Sequence, residues 1–164
     1  MFATSAHRST VNCYDFPVPR IKPPFFALSY LVLAYLGQRF VPPACILPEW
    51  AGRTGVGVLA VSILLMASAI VRFRKADTTL DPSGKPSVLL RGGPYRFTRN
   101  PIYLGFACVQ TGLALALRAP VMLVAPVAFV LTMNTLFVPY EERNLERKFG
   151  AKYRAYCRRT KRWL

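Results

Sequence analysis

Residues 54–71 read TGVGVLAVSILLMASAIV, and no charged side chain interrupts these 18 positions. An α-helix rises 1.5 Å per residue, so about 20 such residues cross the hydrocarbon core of a bilayer. The run reads as a membrane helix, and the flanking sequence repeats the theme. Ala119–Tyr140 is a second uncharged run. Pro101–Leu117 is shorter, and Phe25 to about Leu47 is broken by Arg39 and by Pro42-Pro43. Hydrophobic residues make up 53% of the 164, more than a soluble chain of this size hides from water. The expected fold is all-α and integral to the membrane, with four transmembrane helices. The chain divides into an N-terminal tail, 1–24, and a single membrane-embedded domain, 25–164.

The charges orient these helices. Lys and Arg number 22 against 7 Asp and Glu. Three precede the first run, seven lie between the second and third, and nine follow the fourth. Only Arg39, Arg53 and Arg118 fall at the other side. Basic residues gather on the cytoplasmic face of membrane proteins, so a four-span chain has both termini and its long middle loop in the cytoplasm. A nucleic-acid-binding domain would be equally basic but would not need long uncharged runs. The expected partners are membrane lipids and a lipid-like small molecule, with no nucleic acid.

Other chemistries find little support. Cys13, Cys45, Cys108 and Cys157 are far apart and lack a CxxC pair or a nearby histidine. The single histidine, His7, lies in the polar tail, which leaves a Ser-His-Asp or Cys-His triad without a base. His7, Arg8, Asp15 and prolines precede any apolar run, so the tail does not read as a signal peptide. No glycine-rich dinucleotide fingerprint, P-loop or HExxH motif is present. Asp81–Pro86 reads as a turn within the cytoplasmic connection.

Two stretches are richer than a linker requires. The first is RGGPYRFTRNPIYLG, Arg91 to Gly105. Asn100 before Pro101 reads as a helix start, an N-cap followed by proline at the first helical position. A helix N-terminus flanked by Arg96 and Arg99 attracts a carboxylate or phosphate, or is simply a capped helix with arginines at lipid headgroups. The second is PYEERNLERKFG, Pro139 to Gly150. Glu141 and Glu142 close the fourth run, where the helix dipole disfavours anions. They are expected either to bind an amine or ribose hydroxyls, or to pair with Arg143 and its neighbours. Asn134 and Glu141, seven apart, share a face if the helix continues past Pro139. From Phe149 onward, residues Phe149, Tyr153, Tyr156, Thr160 and Trp163 recur at helical spacing among basic residues. That stripe predicts a C-terminal amphipathic helix lying at the membrane interface, with Trp163 as an anchor.

Taken together, Gly93-Pro94-Tyr95-Arg96, Arg99-Asn100-Pro101-x-Tyr103-x-Gly105, Glu141-Glu142 and Phe149-Gly150-x-x-Tyr153-x-x-Tyr156 resemble the isoprenylcysteine carboxyl methyltransferase and phospholipid methyltransferase superfamily. The segment Lys75–Leu80 also resembles the stretch before the core in small prokaryotic members, which implies a bacterial inner membrane. The resemblance covers about residues 70–164. It implies methyl transfer from S-adenosylmethionine in a site without a Rossmann fold. By that resemblance Pro94, Tyr95, Asn100, Pro101, Tyr103, Gly105, Glu141, Glu142, Tyr153 and Tyr156 line the cofactor pocket. Arg99 matches an arginine associated with the acceptor's reacting group, and is the expected catalytic residue. Prenylcysteine enzymes usually carry His where Asn100 stands, whereas phospholipid N-methyltransferases carry Asn-Pro-x-Tyr. The Phe-Gly-x-x-Tyr tail is similar to the prenylcysteine side. The acceptor atom, carboxylate, thiol or amine, therefore stays open.

No metal is expected. Transfer from a sulfonium is activated by the cofactor, and the protein aligns the partners and excludes water. Two other readings share the architecture: a reductase taking NADPH, and a small basic membrane accessory protein without catalysis.

Overall fold

A computed structural model describes residues 21–42, 46–75 and 88–164. The tail before residue 21, Cys45 and the Asp81–Pro86 turn lie outside the described residues. Helix α1 spans Pro23–Gln38, α2 Glu49–Lys75 and α3 Pro101–Ala116. A single 3₁₀ turn, Pro120–Leu123, leads into α4, Val124–Thr132. A π-helical turn, Met133–Phe137, joins α4 to α5, Val138–Phe149, and α6 covers Ala151–Cys157. Among the described residues there is no strand, and the one extended pairing is an isolated bridge between Thr98 and Lys161.

Two helices are long and apolar enough to cross a membrane: Glu49–Lys75, 27 residues, and the continuous Pro120–Phe149, 30 residues. Helices α1 and α3 have 16 residues each, about 24 Å at the helical rise. Helix α1 stops at Gln38, short of the Leu47 boundary expected from hydropathy. Large apolar side chains face outward, including Leu28 and Leu33 on α1, Ile63 and Leu64 on α2, and Val127 and Leu131 on α4. An outward apolar surface of this extent belongs in lipid rather than water.

Close backbone approach holds α2 to α3. A Cβ added at Gly55 would lie 2.2 Å from the Ala116 nitrogen, so only glycine fits there. Without a hydrophobic drive between helices in lipid, such small-residue contacts and interhelical hydrogen bonds carry the packing. Gln110 on α3 donates to the Ala27 carbonyl on α1 at 3.0 Å. Tyr30 on α1 meets the Thr132 hydroxyl on α4 at 2.8 Å. Only Leu117, Arg118 and Ala119 separate α3 from the turn that leads into α4, so the two form a tight hairpin. Arg118 adopts a φ of 55°, accepts from the Leu47 N–H, and donates through Nε to the Leu47 carbonyl.

The fourth run departs from its expected shape in two ways. It continues past Tyr140 to Phe149, so Glu141 and Glu142 sit inside a helix and not at its negative end. The dipole argument for them therefore falls. Pro139 passes without a break because the turn before it widens: the Val138 N–H bonds to Met133, five residues back. Proline lacks an N–H and crowds the carbonyl four residues earlier, and a π turn relieves that crowding. The wider turn absorbs one extra residue. Asn134 then aligns with Glu142, eight residues on, instead of with Glu141 at seven.

The C-terminal helix also differs. Gly150, at a φ of 50°, separates α5 from α6. Helix α6 ends at Cys157 after seven residues, too soon to carry the whole aromatic stripe. Tyr153 and Tyr156 are buried against the protein instead of lying out at an interface. Trp163 packs on the core formed by Phe129, Met133 and Phe137 and donates to Asn134, so it is not a free anchor.

Candidate functional site

A cavity of about 580 Å³ opens where α2, α3, α5 and α6 meet the 3₁₀ turn Gly93–Arg96. That is within the range of small-molecule sites, roughly 300–1,000 Å³. One wall is apolar, with Met66, Ile70 and Phe73 from α2 and Ile102 and Phe106 from α3. The other is polar, with Arg99, Tyr103, Glu141, Glu142, Tyr153 and Tyr156. Tyr95, Asn100 and Pro101 also line the space. Two of the sequence-predicted pocket residues do not. Pro94 is outside the cavity wall, and Gly105 faces Met66, whose Cγ would lie 2.2 Å from an added Cβ.

The polar wall is built from opposed pairs. Tyr103 donates its hydroxyl to Glu141 Oε1 at 2.5 Å, leaving the second Glu141 oxygen for another partner. Glu142 is engaged on both oxygens. Arg162 forks onto it, with Nε 3.1 Å from Oε1 and Nη2 2.6 Å from Oε2. Arg99 Nη1 lies 3.0 Å from Oε1. Neither glutamate pairs with Arg143, whose Nε donates to the Pro139 carbonyl. Arg99 Nη1 also reaches Cys157 Sγ at 2.8 Å and the Tyr153 hydroxyl at 3.4 Å, while its buried Nε has no hydrogen-bond partner among the described residues.

Asn100 occupies the N-cap position of α3, but its side chain makes no capping bond. Its Nδ2 donates instead to the Arg162 carbonyl at 2.9 Å, and the same carbonyl accepts from Thr98 Oγ1 at 3.0 Å. The Thr98 hydroxyl in turn accepts from the Asn100 N–H. Arg96 is exposed and does not line the cavity, so only one of the two expected flanking arginines serves the site.

Burial shapes the ionisation of the tyrosines. It pushes Tyr156 up to about 12, with Arg99 acting the other way and Cys157 adding to the rise. Tyr95 is held well above its ordinary value by burial, then by Tyr156 and Glu141. Tyr153 is raised by burial, by its bond to Cys157 and by Glu142, against the pull of Arg99. These hydroxyls stay protonated at neutral pH; Tyr156 donates to the Tyr95 carbonyl at 2.6 Å, and Tyr153 accepts from Arg99. Burial disfavours the Arg99 charge, but Glu142, Cys157 and Tyr153 outweigh it and the guanidinium is held above its usual range.

Sequence reasoning missed Arg162, counted only as one more basic residue of the tail. Its signal was indirect: Asn134, one of the few amide side chains in an apolar run, accepts from Arg162 Nη1 at 2.9 Å. Lys22 and Val88–Leu90, which also line the cavity, carried no motif.

An all-helical chain with membrane-length helices and a cavity of mixed polarity at their ends defines the class as a helical membrane protein with a small-molecule site. Residues 50–152 match the phospholipid methyltransferase family, and the chain belongs to it. It is 29% identical over 136 residues to Protein-S-isoprenylcysteine O-methyltransferase A of Arabidopsis thaliana, covering 80% of this chain and 69% of that protein. No solved structure matches. The chain is thus a membrane methyltransferase. Methyltransferases of this family generally use S-adenosylmethionine.

Proposed function

We propose that the chain transfers the methyl group of S-adenosylmethionine to an anionic, lipid-like acceptor bound in the cavity between α2, α3, α5 and α6. The observation that carries this reading is the polarity split of that cavity, an apolar α2–α3 wall facing a wall of tyrosines, Glu141 and Arg99. Tyrosine hydroxyls and the free Glu141 oxygen suit the ribose and ammonium groups of a zwitterionic nucleoside. The aromatic rings of Tyr95 and Phe73, 5.7 Å apart edge to face, supply apolar surface beside them. Bound there, the sulfonium cofactor supplies an electrophilic methyl group.

The protein's own part is alignment and electrostatics. Arg99, which lines the cavity, holds the acceptor's anionic group. The apolar wall takes the acceptor's hydrocarbon portion. Tyr95, Tyr103, Tyr153 and Tyr156 enclose the reacting centre and keep water out. Glu141 serves the cofactor, while Glu142, saturated by two arginines, fixes their positions. A carboxylate acceptor matches this arrangement best because a cation is already aimed at the cavity. An amine acceptor is the second reading, favoured by the free Glu141 oxygen, which would take the proton that such an acceptor must lose. The family assignment favours both over the reductase and accessory readings. Incubation with methyl-labelled S-adenosylmethionine and either N-acetyl-S-farnesylcysteine or phosphatidylethanolamine separates the two. Label in the first supports the carboxylate reading, label in the second the amine, and label in neither refutes a lipid-like acceptor of either kind.

Four spans with both termini cytoplasmic complete the proposal. The basic clusters at the ends of α2 and α5 support it, as does the tight hairpin at Arg118. Reporter fusions after Pro86 and at Leu164 should read cytoplasmic and one at Arg118 external. A cytoplasmic Arg118 overturns the topology.

A further inference from the structure

We propose that Arg162 is a positioning residue of the methyl-transfer site: by forking onto both oxygens of Glu142, it shares that carboxylate with Arg99, confines Arg99 to one oxygen and so fixes where the Arg99 guanidinium stands at the cavity wall.

Arg162 is not on the cavity wall, yet it touches most of what organises that wall. Its guanidinium takes Glu142 twice and Asn134 once. Its carbonyl receives Thr98 and Asn100, the residues on either side of Arg99. One residue thereby ties α3, the π turn and α5 together around Arg99. The π turn is part of the device, because it brings Asn134 and Glu142 to the same side of the helix, where one planar fork reaches both.

Charge counting shows why this matters. Glu142 carries one negative charge and faces two guanidinium groups, so the cluster keeps a net positive charge. Arg99 is the member that lines the cavity. Without Arg162, Glu142 would have Arg99 as its sole counterion among its described partners. The remaining pair is then neutral, and a carboxylate with a vacated oxygen draws Arg99 toward itself. Arg99 would shift toward the vacated Oε2 and away from Cys157.

The consequence for catalysis rests on the proposed role of Arg99 toward the acceptor. The positioning itself is measurable without any ligand, so the two stand or fall separately. Cys157 Sγ lies 2.8 Å from Arg99 Nη1, so the rate of its alkylation reports where that guanidinium stands. The probe is iodoacetamide on the full-length protein in detergent at neutral pH, with the Cys157 peptide followed by mass spectrometry. Arg162→Gln should slow Cys157 alkylation by about 5-fold as Arg99 withdraws. Adding Glu142→Gln to that variant should restore the rate, because nothing then pulls Arg99 away. Arg162→Lys keeps the charge but not the fork, falls between the two, and gives the same reading if the Gln variant does not insert. A merely structural role loosens the tail, exposes the thiol and speeds alkylation, with no recovery in the double variant. An unchanged or faster rate in Arg162→Gln, or no recovery on adding Glu142→Gln, overturns the proposal.

Discussion

Glu142→Gln tests whether the glutamate pair is a structural keystone or a surface feature. The substitution keeps shape and removes charge from a carboxylate that is 19% exposed and meets Arg162 at 2.6 Å and Arg99 at 3.0 Å. Breaking a well-buried pair by removing one partner costs about 3–5 kcal/mol, and a hydrogen bond to a charged group is worth about 1.5–3. Partial exposure of Arg162, at 34%, places this site below the fully buried limit, so a loss of about 2–4 kcal/mol is expected. For a chain of this size each kcal/mol lowers the melting temperature by roughly 2–4 °C, giving a drop of about 5–15 °C. The protein contains its own control four residues away. Glu146 pairs with Arg154 at 3.3 Å, with both side chains half exposed or more. Glu146→Gln should cost under about 1 kcal/mol. Thermal unfolding of both variants in the same detergent, followed by circular dichroism, gives the comparison. Equal small shifts would refute the claim that Glu142 organises the tail and Arg99.

Asn100→Asp should destabilise at least as much as Asn100→Ala, by about 1–2 kcal/mol, because Asp cannot donate to the Arg162 carbonyl; a silent Asp variant in thermal unfolding would restore the capping role. Arg99→Ala should lower methylation efficiency about 10- to 100-fold while calorimetry shows S-adenosylhomocysteine affinity largely kept. Joint collapse would place Arg99 in the cofactor pocket, and no change would make it structural. Gly150→Ala should cost about 1–2 kcal/mol through backbone strain alone, since its φ is 50° and no atom crowds the added methyl. A neutral effect in the same melt would mean that the α5–α6 junction relaxes freely.

The apolar runs made α2 and α4 legible because hydropathy measures transfer into lipid residue by residue. The cavity residues were legible through the motif: Tyr95, Arg99, Asn100, Pro101, Tyr103, Glu141, Glu142, Tyr153 and Tyr156 all converge on one space. What escaped were effects of register and partner choice. Helical spacing assumes a constant turn, so it paired Asn134 with Glu141, whereas the π turn delivers Glu142. The aromatic stripe assumed one unbroken tail helix, but α6 stops at Cys157 and the following residues run beside Thr98–Asn100. Asn100 has the residue type and position of a cap, yet a carbonyl from 62 residues downstream competes successfully for its amide. No local pattern encodes that competition.

The strap formed by Thr98, Asn100 and Arg162 also sets an order of biogenesis. Arg162 follows α1 to α6 and leaves the ribosome after they have been synthesised. Until then Glu142 has Arg99 but lacks its second guanidinium, and Asn134 lacks its partner. The helices can therefore enter the bilayer while the site is still unfinished. Completion comes as a separate docking step, made by the short basic segment that follows α6. The cleft gains its full set of polar partners only when the segment after α6 folds back onto Thr98 and Asn100.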